Sequence, residues 1–222
     1  MNESKGFKST VSTRKWPVAV VGAGVSGLLT AVLLEAQGVE VILVEARDRV
    51  GGRVLGLSDG TDGHNFDLGP SWVWPDFNPR IDHWLEKLVL PTFSQYASGQ
   101  SMMELPTREI RRYESAFGAQ ATSLRLRGGT TALVNALVTR LKRTTIQLNT
   151  EFLGLTDQGD SSLGVRVRTE GELHTIATDF VVLTLPPRIL ANGARWEPPL
   201  PRERIAQWEK SPTWMAGQAK FV

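Results

Sequence analysis

Glycines at positions 22, 24 and 27, set directly after the apolar run Val18-Ala19-Val20-Val21, constrain this chain more than any other feature. The run is short and rich in valine, the pattern of a strand buried on both faces of a parallel sheet. From Ser26 the apolar positions change to helical spacing (Leu28, Leu29, Val32, Leu33), and Gly38 stands where a helix C-cap belongs. Val39–Val44 forms a second apolar run that closes on Glu45. Strand, glycine turn, helix and strand make a βαβ unit. In such a unit Gly22 permits the sharp turn, Gly24 lets backbone approach a pyrophosphate, and Gly27 lets the helix pack close to the strand. Val25 and Ser26 open the helix, whose N–H groups and positive dipole end suit phosphates.

Glu45 follows Gly22 by 23 residues, near the offset of about 20 at which a carboxylate meets ribose hydroxyls. The same charge repels a 2′-phosphate and argues against NADP. A lone G-x-G-x-x-G says little; the ordered context makes this a dinucleotide-binding motif of the Rossmann type.

The first sixteen residues are polar and basic, with no apolar stretch, and read as a flexible N-terminal arm, not a secretory leader. Val18–Leu34 is apolar, but its three glycines and the Glu35 that follows oppose a membrane span. With 25 basic and 23 acidic residues, the chain lacks the charge excess of a nucleic-acid binder, and Arg111-Arg112 is an isolated pair on a solvated face. There is no cysteine, which excludes disulfides, zinc–thiolate sites, iron–sulfur clusters and a cysteinyl flavin link from this chain. These features fit a cytoplasmic protein. His64, His83 and His174 are scattered without metal-ligand spacing, and Asp59, Asp62 and Asp67 lack the oxygen ladder and closing glutamate of a calcium loop. No metal site is expected.

Further along, Asn78-Pro79 caps a helix with Ile81, Trp84, Leu85 and Leu88 on one face, and Pro91 closes it. Gly128-Gly129-Thr130 precedes another helix, carrying Leu133, Ala136, Leu137 and Leu141. Ile146–Leu148 is a short strand. Phe152–Thr156, Gly164–Thr169 and Leu173–Ala177, separated by turn residues, predict an antiparallel meander. Phe180–Leu185 is a final strand stopped by Pro186-Pro187, and a short helix runs through Ile205 and Trp208.

The stretch Glu45-Ala46-Arg47-Asp48-Arg49-Val50-Gly51-Gly52-Arg53-Val54 separates a flavin site from a plain nicotinamide site. A second glycine pair and an arginine after the acidic strand bring backbone and guanidinium to another face of a diphosphate. This run resembles the flavin-containing amine oxidase family of monoamine, polyamine and L-amino-acid oxidases. Phe66-Asp67-Leu68-Gly69-Pro70-Ser71-Trp72 is similar to the family segment beside the flavin ring, and Leu126-Arg127-Gly128-Gly129 to its internal helix start. Thr150-Glu151-Phe152-Leu153 resembles the strand whose backbone reads the adenine, and Val181–Pro186 the strand returning to the nucleotide domain. Gly217-Gln218-Ala219-Lys220 is similar to the segment that delivers a lysine under the flavin.

The resemblance implies an α/β fold. It combines a Rossmann-type FAD-binding domain with a parallel sheet, an antiparallel β-meander and part of a substrate domain. Expected divisions are the arm at 1–16, the ADP-half βαβ and flavin loop at 17–75, and a partial helical substrate region at 76–125. The FAD-binding domain returns at 126–190, and a truncated start of the substrate domain follows at 191–222. The implied cofactor is FAD, held non-covalently as far as this chain goes. Its expected contacts are Gly22, Gly24, Val25, Ser26, Gly27, Glu45, Ala46, Arg47, Gly52, Arg53, Gly69, Pro70, Ser71, Trp72 and Phe152. The implied reaction oxidises the C–N bond of an amine to an imine, with O2 reduced to H2O2, and Lys220 holds a water near the flavin. Trp72 stands where the amino-acid oxidase branch has a carboxylate-clamping arginine, which favours a simple amine.

Relatives are more than twice as long, so the chain is expected to need a complementary chain supplying the C-terminal half for full activity; the other expected partner is a second copy, as a homo-oligomer. Two alternatives stay open: a non-catalytic FAD-binding remnant or subunit, and another FAD oxidoreductase such as a desaturase or porphyrinogen oxidase. An NAD-only dehydrogenase fits least, given Gly51-Gly52-Arg53.

Overall fold

The computed structural model describes residues 10–58, 65–96, 98–113 and 123–212. Two compact units divide it: Val54–Leu133 is one, and the residues before Val54 and after Leu133 form the other. The sequence reading set its divisions at 16/17, 75/76, 125/126 and 190/191; the observed ones fall at 53/54 and 133/134. The second of the observed divisions falls inside a helix.

In chain order, β1 (Thr10–Val21), α1 (Val25–Ala36) and β2 (Val41–Val44) open the first unit. The other unit holds β3 (Gly56–Ser58), β4 (Asn65–Asp67), α2 (Pro79–Lys87), β5 (Thr92–Ser94), β6 (Ser101–Glu104), β7 (Ile110–Tyr113) and β8 (Leu124–Leu126). After α3 (Thr131–Arg140) the chain builds β9 (Thr145–Gln147), β10 (Thr150–Gly159), β11 (Ser162–Thr169) and β12 (Glu172–Leu183). Then come α4 (Pro187–Gly193), β13 (Arg195–Glu197) and α5 (Arg202–Glu209).

The first unit is organised by one seven-stranded sheet of order β13-β10-β11-β12-β1-β2-β9. Strands β12, β1, β2 and β9 are mutually parallel, whereas β10, β11 and β12 form the antiparallel meander. Fold class and sheet composition are those expected. Val18, Ala19, Val20 and Val21 are all buried, so β1 is covered on both faces. On one face Trp16, Ala19, Val21, Ile42, Val44, Val165, Val167 and Ile176 form a single apolar cluster. Leu28 and Ala31, on the inner side of α1, are fully buried. The helix ends in a Schellman motif: Gly38, at φ +81°, donates to the Glu35 carbonyl, and Val39 donates to that of Leu34.

Three readings change. The last part of the expected arm at 1–16 is strand instead, because β1 already begins at Thr10 and Trp16 is only 7% exposed; the rest of that stretch lies outside the described residues. Thr178-Asp179 reads as a break between two strands but lies inside one. Thr178 is fully buried and satisfies its hydroxyl on the Phe180 carbonyl, while Asp179 pairs with Lys15 of the neighbouring strand. β12 therefore serves the meander along Glu172–Thr178 and the parallel sheet from His174 to Leu183. Finally, Pro187 stops the strand and also starts α4 at a position where proline loses no helical bond.

Among the described residues of the other unit, the sheets are two-stranded antiparallel pairs: β3 with β4, β5 with β8, and β6 with β7. α2 buries Leu85, and Val73 and Leu124 exchange backbone hydrogen bonds at 2.8 and 2.9 Å. Asn78 precedes α2 as expected but makes no side-chain cap.

Candidate functional site

The turn between β1 and α1 sends its carbonyls inward. Val21 O accepts the Thr184 N–H (3.0 Å), and Ala23 O accepts the Gly51 N–H (2.8 Å). Gly24 O accepts the Leu28 N–H at 2.9 Å, the first bond of the helix. The Thr184 hydroxyl lies 2.8 Å from Val21 O and 3.0 Å from Gly22 O. Two N–H groups are also used internally: Gly22 donates to Val44 O, and Ala23 to Glu45 Oε2 at 2.9 Å. Gly24 is the N-cap of α1 and brings no side chain to the first turn. The N–H groups there lack intrahelical acceptors and carry the positive end of the dipole.

The three glycines differ in what a side chain would meet. At Gly22, φ is +100° and a Cβ would stand 2.8 Å from Thr184 Oγ1. At Gly27 a Cβ would fall 1.8 Å from the Gly22 carbonyl oxygen, so helix and turn touch backbone to backbone. At Gly24 a Cβ would meet, among the described residues, only Gly52 Cα, at 4.0 Å. That side of the loop is therefore open, and an anion there would reach the backbone directly. Ser26 beside it is exposed, and Val25 is half-buried.

Glu45 is 5% exposed and joins two segments. Oε2 takes the Ala23 N–H, Oε1 takes the Arg47 N–H at 3.0 Å, and the Arg47 guanidinium stands 3.5 Å from Oε1. Each oxygen keeps acceptor capacity beyond these bonds. Asn149 donates to Arg47 O and Thr150 to Glu45 O, so the β9–β10 turn lies along 45–47. Ala46 and Arg47 are exposed. Gly51 pairs alongside Gly24, and a Cβ on Gly52 would come within 3.1 Å of Gly24 Cα. The second glycine pair thus forms a floor beneath the first loop. Arg49 holds that floor by donating to Val50 O (3.2 Å) and Gly52 O (3.0 Å). Arg53 is exposed.

Gly22, Gly24, Val25, Ser26, Gly27, Glu45, Ala46, Arg47, Gly52 and Arg53 all belong to the first unit and surround one turn. Phe152 belongs to the same unit but packs its ring against Trp196 (centroids 6.2 Å apart) and the sheet core. Gly69, Pro70, Ser71 and Trp72 belong to the other unit. There Asp67, 3% exposed, accepts both the backbone N–H (2.7 Å) and the hydroxyl (2.8 Å) of Thr130, and Arg125 approaches to 3.7 Å. The Thr130 hydroxyl also lies 3.0 Å from Pro70 O, which anchors the 67–71 segment to the start of α3. Ser71 is buried, whereas Trp72 is 43% exposed, with its indole N–H on Gln95 Oε1 at 3.2 Å. Lys220 lies outside the described residues.

Sequence reasoning missed Thr184, Arg49, Asp67 and Thr130 as residues that shape these segments. Each is a polar side chain within two residues of a glycine or proline, a signal equally common in ordinary turns. It also missed Glu35, at the far end of α1. Its carboxylate accepts the N–H groups of Lys142 (2.7 Å), Arg143 (3.0 Å) and Thr144 (2.9 Å) and the Thr144 hydroxyl (2.7 Å). Burial alone would raise its pKa. The Thr144 hydroxyl and the three N–H groups outweigh burial and hold the pKa at about 2. Among the described residues, no group of acidic, histidine or cysteine side chains is placed to hold a metal, and no helix is long and apolar enough to cross a membrane.

The profile of NAD(P)-binding Rossmann-like domains matches residues 20–88, and that of flavin containing amine oxidoreductases matches residues 77–217. The chain belongs to the flavin containing amine oxidoreductase family. Its similarity to putrescine oxidase of Kocuria rosea is 35% identity over 128 residues, 57% of this chain and 26% of that protein. With the flavin-containing amine oxidase B of Homo sapiens it is 43% over 81 residues, 36% of this chain and 15% of that protein. Cyclohexylamine oxidase from Brevibacterium oxydans superposes with a TM-score of 0.73 at 15% identity, a likeness of fold, covering 88% of this chain and 63% of that one. The chain thus spans less than two thirds of the family members it matches, and the part it spans includes the glycine turn.

Proposed function

We propose that this chain binds FAD non-covalently through the turn at Gly22–Gly27 and forms the ADP-binding portion of an FAD-dependent amine oxidoreductase. One observation carries the reading: Gly24 has an open side at a helix N-terminus, over a second glycine floor at Gly51-Gly52, in a chain of a flavin family. A diphosphate suits that place because the neighbouring carbonyls are already engaged and only donors and the helix dipole remain to meet it. Glu45 and Arg47 are offered to the adenosine ribose, and Arg53 to the diphosphate. Gly69, Pro70, Ser71 and Trp72 are offered to the flavin ring.

Bound flavin supplies the two-electron oxidation of a C–N bond, giving an imine, with O2 as acceptor and H2O2 as product. This chain's residues bind and orient the cofactor, and Lys220 keeps the water-holding role that the family resemblance gives it. The proposed substrate is a simple amine, because Trp72 offers an indole where a carboxylate would need a guanidinium. The family portion beyond this chain's span is supplied by further polypeptide, in the same chain or a partner.

The visible spectrum of the purified chain tests the cofactor. Flavin bands released on denaturation are expected, and a colourless protein that refuses added FAD refutes the reading. Peroxide formation with a panel of amines, in the presence of the complementary polypeptide, tests the reaction. FAD binding with no turnover of any amine would leave the remnant as the correct description.

A further inference from the structure

We propose that Thr184 is a positioning residue for the phosphate turn, a role that rests on the FAD reading above. The peptide unit between Gly22 and Ala23 is held at both ends. Its N–H is fixed by Glu45 Oε2 at 2.9 Å, and its carbonyl lies 3.0 Å from the Thr184 hydroxyl. The same hydroxyl stands 2.8 Å from Val21 O, whose other donor is the Thr184 backbone N–H. Thr184 therefore meets two successive carbonyls from the end of β12 and keeps them on the strand side of the turn.

That orientation is what an anion-binding turn needs. Gly22 has φ +100°, where glycine has little steric preference of its own, so something else must select the direction of the 22–23 peptide. A flipped peptide would turn a carbonyl dipole toward the diphosphate and withdraw the Ala23 N–H from Glu45. The space is closely fitted: added Cβ atoms at Gly22 and Gly27 would come within 2.8 and 3.1 Å of Thr184 Oγ1. One hydroxyl thus reaches strand, turn and helix together. The position matters because it lies 162 residues from the carbonyl it holds, at the end of the strand that completes the parallel sheet.

Thr184→Val removes the hydroxyl at nearly constant shape, and Thr184→Ser restores it without the methyl group. ADP and adenosine, titrated into the full chain by calorimetry, separate diphosphate binding from adenosine binding. The valine variant is expected to lose about tenfold in ADP affinity, the scale of one net hydrogen bond. Its adenosine affinity should stay near wild type, and the serine variant should recover ADP binding. Equal ADP binding by wild type and the valine variant overturns the tether. So does an equal loss for ADP and adenosine, or a loss that serine does not repair. Should the valine variant not fold, Thr184→Ala against Thr184→Ser makes the same comparison. A wild-type chain that binds neither ADP nor FAD overturns the cofactor reading, and the tether's purpose with it.

Discussion

Glu35→Gln changes one atom and should destabilise the first unit strongly, in a way that depends on pH. The carboxylate takes four donors from residues 142–144, the segment that leads into β9. A glutamine keeps one acceptor but turns an NH2 group toward donors, so at least one backbone N–H loses its partner. The folded carboxyl titrates at about 2 against an ordinary 4.5. A difference of about 2.5 units corresponds to about 3 kcal/mol at neutral pH. Because the folded value is depressed, this stability is complete above pH 4.5 and drains away as pH falls toward 2. Urea denaturation followed by tryptophan fluorescence, on wild type and variant side by side, measures the gap. It should be about 3 kcal/mol at pH 7 and about half that at pH 3. A gap below about 1 kcal/mol at pH 7, or one unchanged between the two pH values, refutes the reasoning.

The second and third glycines of the motif, Gly24 and Gly27, should separate binding from folding. Gly24→Val, placed where a Cβ meets, among the described residues, only Gly52 Cα at 4.0 Å, should abolish FAD retention on desalting with little change in melting temperature. Gly27→Ala, whose Cβ would lie 1.8 Å from a carbonyl oxygen, should cost about 3 kcal/mol or more in urea titration. Asp67→Ala strands the buried backbone N–H of Thr130 and leaves its hydroxyl with Pro70 O alone; a loss of about 1 to 3 kcal/mol is expected, and a neutral result removes Asp67 as an anchor for the 67–71 segment. Val89 follows α2 at φ +56° and is 83% exposed. Val89→Gly should therefore raise stability by about 1 kcal/mol, read as an increase in melting temperature.

Local signals revealed part of this molecule. The glycine spacing, the valine runs and the Gly38 cap each act over a few residues, and they located β1, α1 and β2 with the open turn between them. What the sequence hid is long-range. Thr178-Asp179 looks like a turn because nothing nearby shows that Lys15 will stand opposite, or that the Thr178 hydroxyl will close on its own strand. Glu35 looks like a solvated helix residue until the 142–144 segment folds over it. Thr184 and Thr130 are ordinary threonines until strands bring them to Gly22 and Asp67. Family resemblance recovered the order of segments across these distances, but not which side chain fastens which.

The continuity of β12 sets where this part of the family can change length. Side chains alternate faces along a strand, so adding or deleting one residue inside 172–183 would exchange its inner and outer sets. Thr178 would turn outward, and the hydroxyl at 184 would leave the carbonyls of the turn. The tight turns at Asp160-Ser161 and Glu170-Gly171, which already use positive φ, lie outside that constraint. Insertions among relatives should collect at those turns, while the interval from Glu172 to Thr184 keeps a fixed count of residues. That interval is a molecular ruler between the meander and the phosphate turn.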